Sequence, residues 1–162
     1  MNSYKISPKK NPRPAVTLCI LFLTGAFLCY VLSARFAVTR AIGQLLAAVF
    51  LLLFVQISTK HLLTEYTYSL EDGVLSLLAL QGKRIRFLGS VPLTADCLLL
   101  TKKEWKKQKE KYPLSARLSC MQNLFAERAF VLLCPNDKKY TALFFEPDEV
   151  LEALILEQIK AK

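Results

Sequence analysis

The sequence predicts an α+β protein: a transmembrane hairpin of two helices, followed by a mostly antiparallel β sandwich or open barrel of about seven strands. Three patterns support this fold class. Two long apolar runs lie near the N-terminus, segments of alternating apolar and polar residues follow, and an amphipathic segment ends the chain. We also expect one helix inserted between the strands and a C-terminal capping helix.

Charge is distributed unevenly along the 162 residues, whose formal net charge is +9. Residues 1–60 contain seven Lys or Arg and no acid, whereas residues 61–162 contain fifteen Lys or Arg and thirteen acids. The pI of about 9.4 therefore reflects mainly the flanks of the apolar runs. Because the C-terminal part is nearly neutral, the charge argues against a nucleic-acid partner.

The two apolar runs have the length of membrane-spanning helices. They cover about residues 15–34 and 41–57, and roughly 20 helical residues cross the ~30 Å hydrocarbon core. A cleaved signal peptide is the alternative for the first run, but its apolar stretch is longer than usual and a second run follows directly. We therefore expect a transmembrane hairpin over residues 15–59, preceded by a basic tail over residues 1–14.

Small residues in the two runs predict a close helix–helix contact. Gly25 and Ala26 lie in the first run, and Gly43 and Ala47 have small-x-x-x-small spacing in the second. Small residues are also common in membrane helices that make no such contact. The spacing therefore favours close packing without requiring it.

Basic residues in the short flanks of the runs predict the orientation. Four of them, Lys5, Lys9, Lys10 and Arg13, precede the first run, and basic flanks tend to stay on the cytoplasmic side. The hairpin turn also carries arginine, at Arg35 and Arg40. We expect both termini, and the domain over residues 62–162, to be cytoplasmic.

Seven segments have the alternation or the short apolar run of a strand. In the third, Ile85, Phe87 and Val91 are predicted to face the core, and Arg84 and Arg86 the solvent. Glycines in the sequences EDG and QGK predict tight turns on either side of the second strand. The predicted strands are Leu63–Leu70, Val74–Leu80, Arg84–Val91, Ala95–Leu100, Ala116–Asn123, Phe130–Cys134 and Tyr140–Phe145.

The inserted helix is predicted over residues 102–111, within the lysine-rich stretch TKKEWKKQKEKYP. Thr101 and Glu104 have capping-box spacing, and Pro113 ends the segment. At 100° per residue, Trp105 falls on a different face from most of the lysines. We expect the tryptophan to pack on the domain and the lysines to face solvent.

The segment EPDEVLEALILEQIK predicts the capping helix. Pro147 suits its first turn, and Asp148 and Glu149 suit the positive end of its dipole. The apolar stripe, which must cover a partner surface, consists of Val150, Leu151, Leu154, Ile155 and Ile159.

This order of elements resembles a pleckstrin-homology-like domain. The segments that carry the resemblance are YTYSLEDGVLSL, GKRIRFLGSVPL, KYPLSARLSCMQNLF and FFEPDEVLEAL, within about residues 61–158. With its two apolar runs, the chain resembles uncharacterised small membrane proteins of Gram-positive bacteria. The resemblance implies a bacterial inner membrane and a final helix that closes one end of the barrel. Lipid-binding members carry basic residues at the first hairpin, but here that turn is the acidic EDG.

Candidate catalytic groups are few. His61 is the single histidine, at the predicted membrane exit, and the sequence contains no nucleotide-binding or zinc-protease motif. Cys120 is a conceivable nucleophile, but it alternates with Leu118 on an apolar face, as Cys134 does with Phe130. Buried reduced thiols are the preferred interpretation, with a disulfide between Cys120 and Cys134 as the alternative. We expect no enzyme, no cofactor and no metal site.

Two groups of basic residues are the candidate contacts for a lipid or a partner. They are Lys83, Arg84 and Arg86 at the second hairpin turn, and Lys102, Lys103, Lys106 and Lys107 on the inserted helix. Near an anionic leaflet, each basic residue contributes about 1 kcal/mol. The plain alternatives are solubilising charges at a strand edge and the solvated face of a helix.

These features favour a membrane-anchored cytosolic binding or scaffold module whose ligand is a protein or anionic lipid headgroups. The expected partners are the lipid bilayer and either anionic lipid or a membrane protein. The alternative is a structural subunit of a membrane complex that interacts through the transmembrane hairpin. A nucleic-acid binder that uses the lysine helix is a third option, disfavoured because no aromatic side chains accompany the exposed lysines.

Overall fold

The computed structural model describes residues 3–35, 40–126, 128–136 and 139–160. They form an α+β structure with two long apolar helices near the N-terminus and two four-stranded sheets. Two compact units are present, one of residues 11–64 and one that joins residues up to Lys10 to residues from Glu65 onward. Among the described residues, neither sheet closes on itself.

The first unit consists of helices α1 (Arg13–Arg35) and α2 (Arg40–Ile57), with α2 continued by a π-helical turn, Ser58–Leu63. Both helices, at 23 residues for α1 and 24 for the continuous segment Arg40–Leu63, are long and apolar enough to cross a membrane. Most of their large apolar side chains are exposed. The segment 36–39, which contains most of the predicted turn, lies outside the described residues.

The predicted close approach is present at Gly43 but not at Gly25, where an added Cβ would make an ordinary 3.5 Å contact with the Phe50 ring. A Cβ atom added to Gly43 would lie 2.5 Å from Ser33 Cβ, so the two backbones approach too closely for any side chain there. Ala26 and Ala47 are buried, and Cys19 Sγ lies 3.2 Å from Ser58 Oγ. One contact joins the end of α1 to the start of α2, and the other joins the start of α1 to the turn that continues α2, so the two helices run antiparallel.

The second unit contains both sheets, in the strand orders β1-β2-β3-β4 and β5-β7-β8-β6. Neighbouring strands are antiparallel except β6 and β8, which are parallel. The strands are β1 Tyr4–Ile6, β2 Thr64–Glu71, β3 Val74–Gln81, β4 Arg84–Pro92, β5 Leu98–Thr101, β6 Leu114–Ser119, β7 Phe130–Asn136 and β8 Lys139–Phe145. Helix α3 (Lys102–Gln108) follows β5, and α4 (Glu149–Lys160) follows β8.

The second sheet is covered on both faces. On one face Leu132, Leu143 and Phe145 join a core that includes Tyr68, and also Leu151 and Ile155 of α4, all nearly inaccessible to solvent. On the other face Val131, Leu133 and Phe144 pack with Trp105 of α3. This explains why β7 and β8 read as continuous apolar runs rather than as alternating strands.

Several element boundaries differ from the sequence prediction. The described residues form eight strands where about seven were expected, because Tyr4–Ile6, in the segment predicted to be a tail, pairs with β2. The strand predicted at residues 116–123 ends at Ser119, and the predicted strand from Ala95 begins only at Leu98. In α4, Val150 is half exposed and does not belong to the buried stripe.

Candidate functional site

The turn between β3 and β4 carries three of the candidate basic residues, Lys83, Arg84 and Arg86, all exposed. Gly82 has a φ of 60°, the positive value that a two-residue hairpin turn of type II′ requires at its first central position. No ion pair found in the described part of the chain involves these three side chains. These three cations are therefore accessible to an anion from outside the described residues.

The prediction that Ile85 and Phe87 face the core is wrong. The β3–β4 pairing shifts at Leu88: Gly89 lies opposite Leu77, but Phe87 lies opposite Leu78. This β-bulge changes the alternation by one residue, so that Val91 and Leu88 contact the core while Ile85 and Phe87 point outward. Ile85 is 72% exposed and Phe87 is 59% exposed.

Cross-strand pairing extends the two exposed side chains into an apolar patch. Ile85 lies opposite Leu80, and Phe87 lies opposite Leu78. Residues directly opposite in a sheet share a face, and both leucines are only partly buried. We call these four residues, together with Lys83, Arg84 and Arg86, the hairpin tip. A glycine inside a strand, Gly89, is the sequence signal that could have indicated the bulge.

The other candidate lysines lie on α3, whose structure matches its prediction except in length. Thr101 and Glu104 form the capping box: the Thr101 Oγ1 accepts a hydrogen bond from the Glu104 N–H at 3.2 Å, and the carboxylate accepts from the Thr101 N–H at 2.8 Å. The Thr101 N–H and the Thr101 hydroxyl, which both lie 2.8 Å from the carboxylate, hold the pKa of Glu104 below its usual value. The α-helix ends at Gln108 and continues as one 3₁₀ turn, Lys109–Lys111.

Burial of Trp105 fixes the direction in which the lysines of α3 point. The indole is 8% exposed and meets the Phe144 ring edge to face, with 6.2 Å between centroids. Lys103, Lys106 and Lys107 are exposed, while Lys102 is partly covered. The lysine face of the helix thus carries no exposed aromatic side chain, as the spacing predicted.

A cavity of about 470 Å³ lies beside α3, lined in part by Lys102, Lys103 and Lys106. Its fourth cation, Arg128, already binds two carboxylates, at 2.6 Å from Glu149 and 3.1 Å from Glu152. These carboxylates raise the pKa of Arg128. The basic character of this cavity is therefore partly neutralised by the fold itself, unlike that of the hairpin tip.

Comparison with known proteins gives no relative. No family model, no curated protein and no solved structure matches the chain. The resemblance to pleckstrin-homology-like membrane proteins therefore stays a prediction, and the functional argument rests on the geometry of this chain alone.

The three cysteines of the second unit are all buried, but they do not pair as the sequence suggested. Cys120 forms no disulfide, and its carbonyl accepts a hydrogen bond from the Tyr68 hydroxyl at 2.6 Å. Cys134 instead meets Cys97, with 2.8 Å between the sulfur atoms. Sequence reasoning missed this pair because it placed Cys97 inside a strand with no assigned neighbour.

Hydrogen bonding makes the two paired thiols unequal. The hydrogen bond between the two thiols, helped by the Thr94 hydroxyl and N–H, lowers the pKa of Cys97 to about 6 against the opposing effect of burial. The same bond raises the pKa of Cys134. In contrast, no group of three or more metal-binding side chains occurs among the described residues.

Proposed function

We propose that this chain is a membrane-anchored module whose cytosolic, pleckstrin-homology-like domain contacts anionic lipid headgroups through the hairpin tip. In this proposal α1 and α2 form a transmembrane hairpin in a bacterial inner membrane, with both termini in the cytoplasm. The exposed apolar side chains of the two helices support it, because lipid would cover them.

One observation carries the proposal: the hairpin tip combines exposed apolar side chains with cations for which the described residues show no ion pair. Ile85 and Phe87 are large apolar residues exposed near the start of β4, where they bury little surface in the fold. Adjacent exposed apolar residues of this kind often mark a site of membrane or protein contact. Lys83, Arg84 and Arg86 stand within four residues of these two residues. Apolar groups that enter the interface, flanked by cations that meet phosphates, are the chemistry of peripheral membrane contact.

Connectivity supports contact at this end of the sheet. The β3–β4 turn lies at the end of the first sheet where β2 begins, because β2 and β3 are joined by the tight turn Asp72–Gly73. Adjacent strands are about 4.8 Å apart. Thr64, the first residue of β2, follows Leu63 directly in the chain, so this end of β2 is covalently adjacent to the proposed anchor.

The magnitudes are sufficient for a tethered contact. Each cation near an anionic leaflet contributes about 1 kcal/mol, and three are present at the tip. Full burial of an Ile or Phe side chain contributes about 1.5–3 kcal/mol, of which partial insertion would realise a share. A tethered domain needs less than a free one, because the anchor already supplies a high local concentration of lipid.

The proposal is tested in the full chain, since β1 comes from the N-terminal segment and a fragment from residue 62 would lack it. A protein with Phe87→Trp and Trp105→Phe has one tryptophan, at the tip. In vesicles containing an anionic phospholipid, we expect its emission to be quenched by brominated acyl chains. Wild type, whose Trp105 is buried in the domain, is the matched control and should be quenched little.

Charge variants test whether the quenching depends on the cations of the hairpin tip. Arg84→Glu with Arg86→Glu should reduce the quenching at least severalfold, and so should high salt, because screening weakens the attraction. Lys106→Glu with Lys107→Glu changes the charge equally on α3 and should leave most of the quenching. Equal emission in brominated and ordinary vesicles would overturn the lipid proposal and favour the alternative of a structural subunit that interacts through its helices.

A further inference from the structure

Two buried thiols face each other at the edge of the second sheet, Cys97 directly before β5 and Cys134 within β7. Leu98 of β5 pairs with Leu133 of β7 in an antiparallel register, so Cys97 and Cys134 occupy the next opposed positions. Opposed Cα atoms in antiparallel pairs are about 4.5–5.5 Å apart. A disulfide requires about 4.4–6.8 Å, so the backbone already has the required spacing.

The sulfur atoms need little movement to form a bond. They lie 2.8 Å apart, whereas a disulfide has a length of about 2.05 Å. We propose that Cys97 and Cys134 are a modification site, a dithiol that a hydroperoxide converts reversibly into a disulfide. This inference does not depend on the proposed function, since it concerns the second sheet and not the hairpin tip.

Cys97 is the thiol placed to react first. Its Sγ lies 3.4 Å from the Thr94 Oγ1 and 3.5 Å from the Thr94 N–H, both of which can donate to a thiolate. Cys97 is buried but directly follows a short turn at residues 94–96, in which Thr94 and Asp96 are exposed. Opening of this turn, rather than of the core, would admit a small peroxide.

The chemistry balances with a hydroperoxide as the two-electron oxidant. The Cys97 thiolate attacks the terminal peroxide oxygen, the O–O bond breaks, and the alcohol leaves with a proton, which yields a sulfenic acid at Cys97. The Cys134 sulfur then attacks the Cys97 sulfur, the S–O bond breaks, and the Cys134 proton leaves with the hydroxide as water. Two sulfurs are oxidised by one electron each, and one peroxide is reduced.

The disulfide would fix an edge of the sheet. β5 is a four-residue edge strand, and α3 follows it directly. The bond would close the chain between residues 97 and 134, a segment that contains β5, α3 and β6. We therefore expect amide exchange at Leu98–Thr101 to slow at least about tenfold upon oxidation.

The test uses the full chain in detergent, treated with hydrogen peroxide, blocked with an alkylating reagent and analysed by peptide mass spectrometry. We expect a link between the peptides that hold Cys97 and Cys134, lighter by two hydrogen atoms and reversed by a dithiol reductant. Cys120→Ser is the matched control, because it removes a buried thiol of the same core, and it should still form the link.

Two further variants fix the order of the steps. Cys134→Ser should leave a sulfenic acid on Cys97 that a sulfenic-specific reagent traps, and Cys97→Ser should leave Cys134 largely unreactive. If peroxide produces no link in the wild-type chain while other cysteines oxidise, the inference fails. A wild-type Cys97 that proceeds to sulfinic acid without linking would likewise overturn it.

Discussion

The hairpin tip and helix α3 have similar charge but differ in what accompanies it. At the tip, Ile85 and Phe87 are exposed on one face of the strand, and Arg84 and Arg86 alternate with them on the other face, whereas α3 turns its tryptophan inward and shows solvent an almost purely cationic face. A lysine surface of the second kind gains only screened Coulomb energy from an anion. The tip can add apolar burial to that attraction, which makes it the better candidate for a bilayer interface.

The origin of the difference lies in how each region is held. The position of helix α3 follows from local features. A capping box starts the helix, and the buried Trp105 packs against Phe144 of β8. The tip is set by pairing across the hairpin, where a bulge at Leu88 reverses the faces of the residues before it. Both regions combine basic and apolar residues, but the large apolar side chains are exposed at the tip and buried in α3.

The largest expected contrast is in stability. Trp105→Ala should lower the free energy of unfolding by about 3–5 kcal/mol, because it removes a buried ring packed on Phe144. Phe87→Ala, at a mostly exposed position, should cost less than about 1 kcal/mol. Denaturant unfolding of the full chain in detergent, followed by circular dichroism, measures both. Trp105→Phe, which keeps an aromatic ring, should recover much of the loss; equal losses for Trp105→Ala and Phe87→Ala would contradict the assigned faces.

The two regions also differ in how well the sequence predicted them. Trp105 and the capping box of α3 follow from residues within one helical turn, so their placement was readable. The orientation of Ile85 and Phe87 depends on a register shift against β3, which no alternation pattern within β4 reveals. The Cys97–Cys134 contact and the parallel β6–β8 pair depend on strands distant in sequence. The three-residue strand β1 is too short to carry any periodicity.

The turn of the hairpin gives the next largest effect. Gly82 has a positive φ, and an added Cβ would meet no atom within 4 Å, so the cost of a side chain there is conformational strain rather than a clash. Gly82→Ala should lower the free energy of unfolding by about 1–2 kcal/mol. Gly82→Asn, which tolerates positive φ, should lower it less. An alanine variant as stable as wild type in the same denaturant titration would show that the turn does not hold the tip.

The corresponding device in α3 is its N-cap. Thr101→Ala removes the hydroxyl that accepts from the Glu104 N–H and should lower the free energy of unfolding by about 1 kcal/mol. Thr101→Ser keeps the hydroxyl and should behave nearly as wild type. A loss of several kcal/mol in Thr101→Ala would mean that this residue stabilises the sheet as well as the helix. The start of α3 would then depend on more than its N-cap.

The smallest expected effect comes from removing charge on α3, and it directly tests whether α3 and the hairpin tip differ in lipid contact. Lys106→Gln with Lys107→Gln removes two exposed charges for which the described residues show no ion pair, so the free energy of unfolding should change by less than about 0.5 kcal/mol. Quenching of the tip tryptophan by brominated lipid should also stay within error of the single-tryptophan parent. Arg84→Gln with Arg86→Gln removes the same charge from the tip and should weaken the quenching clearly. If both pairs weaken it equally, the tip and α3 act as one cationic surface, and exposed apolar residues would not distinguish them.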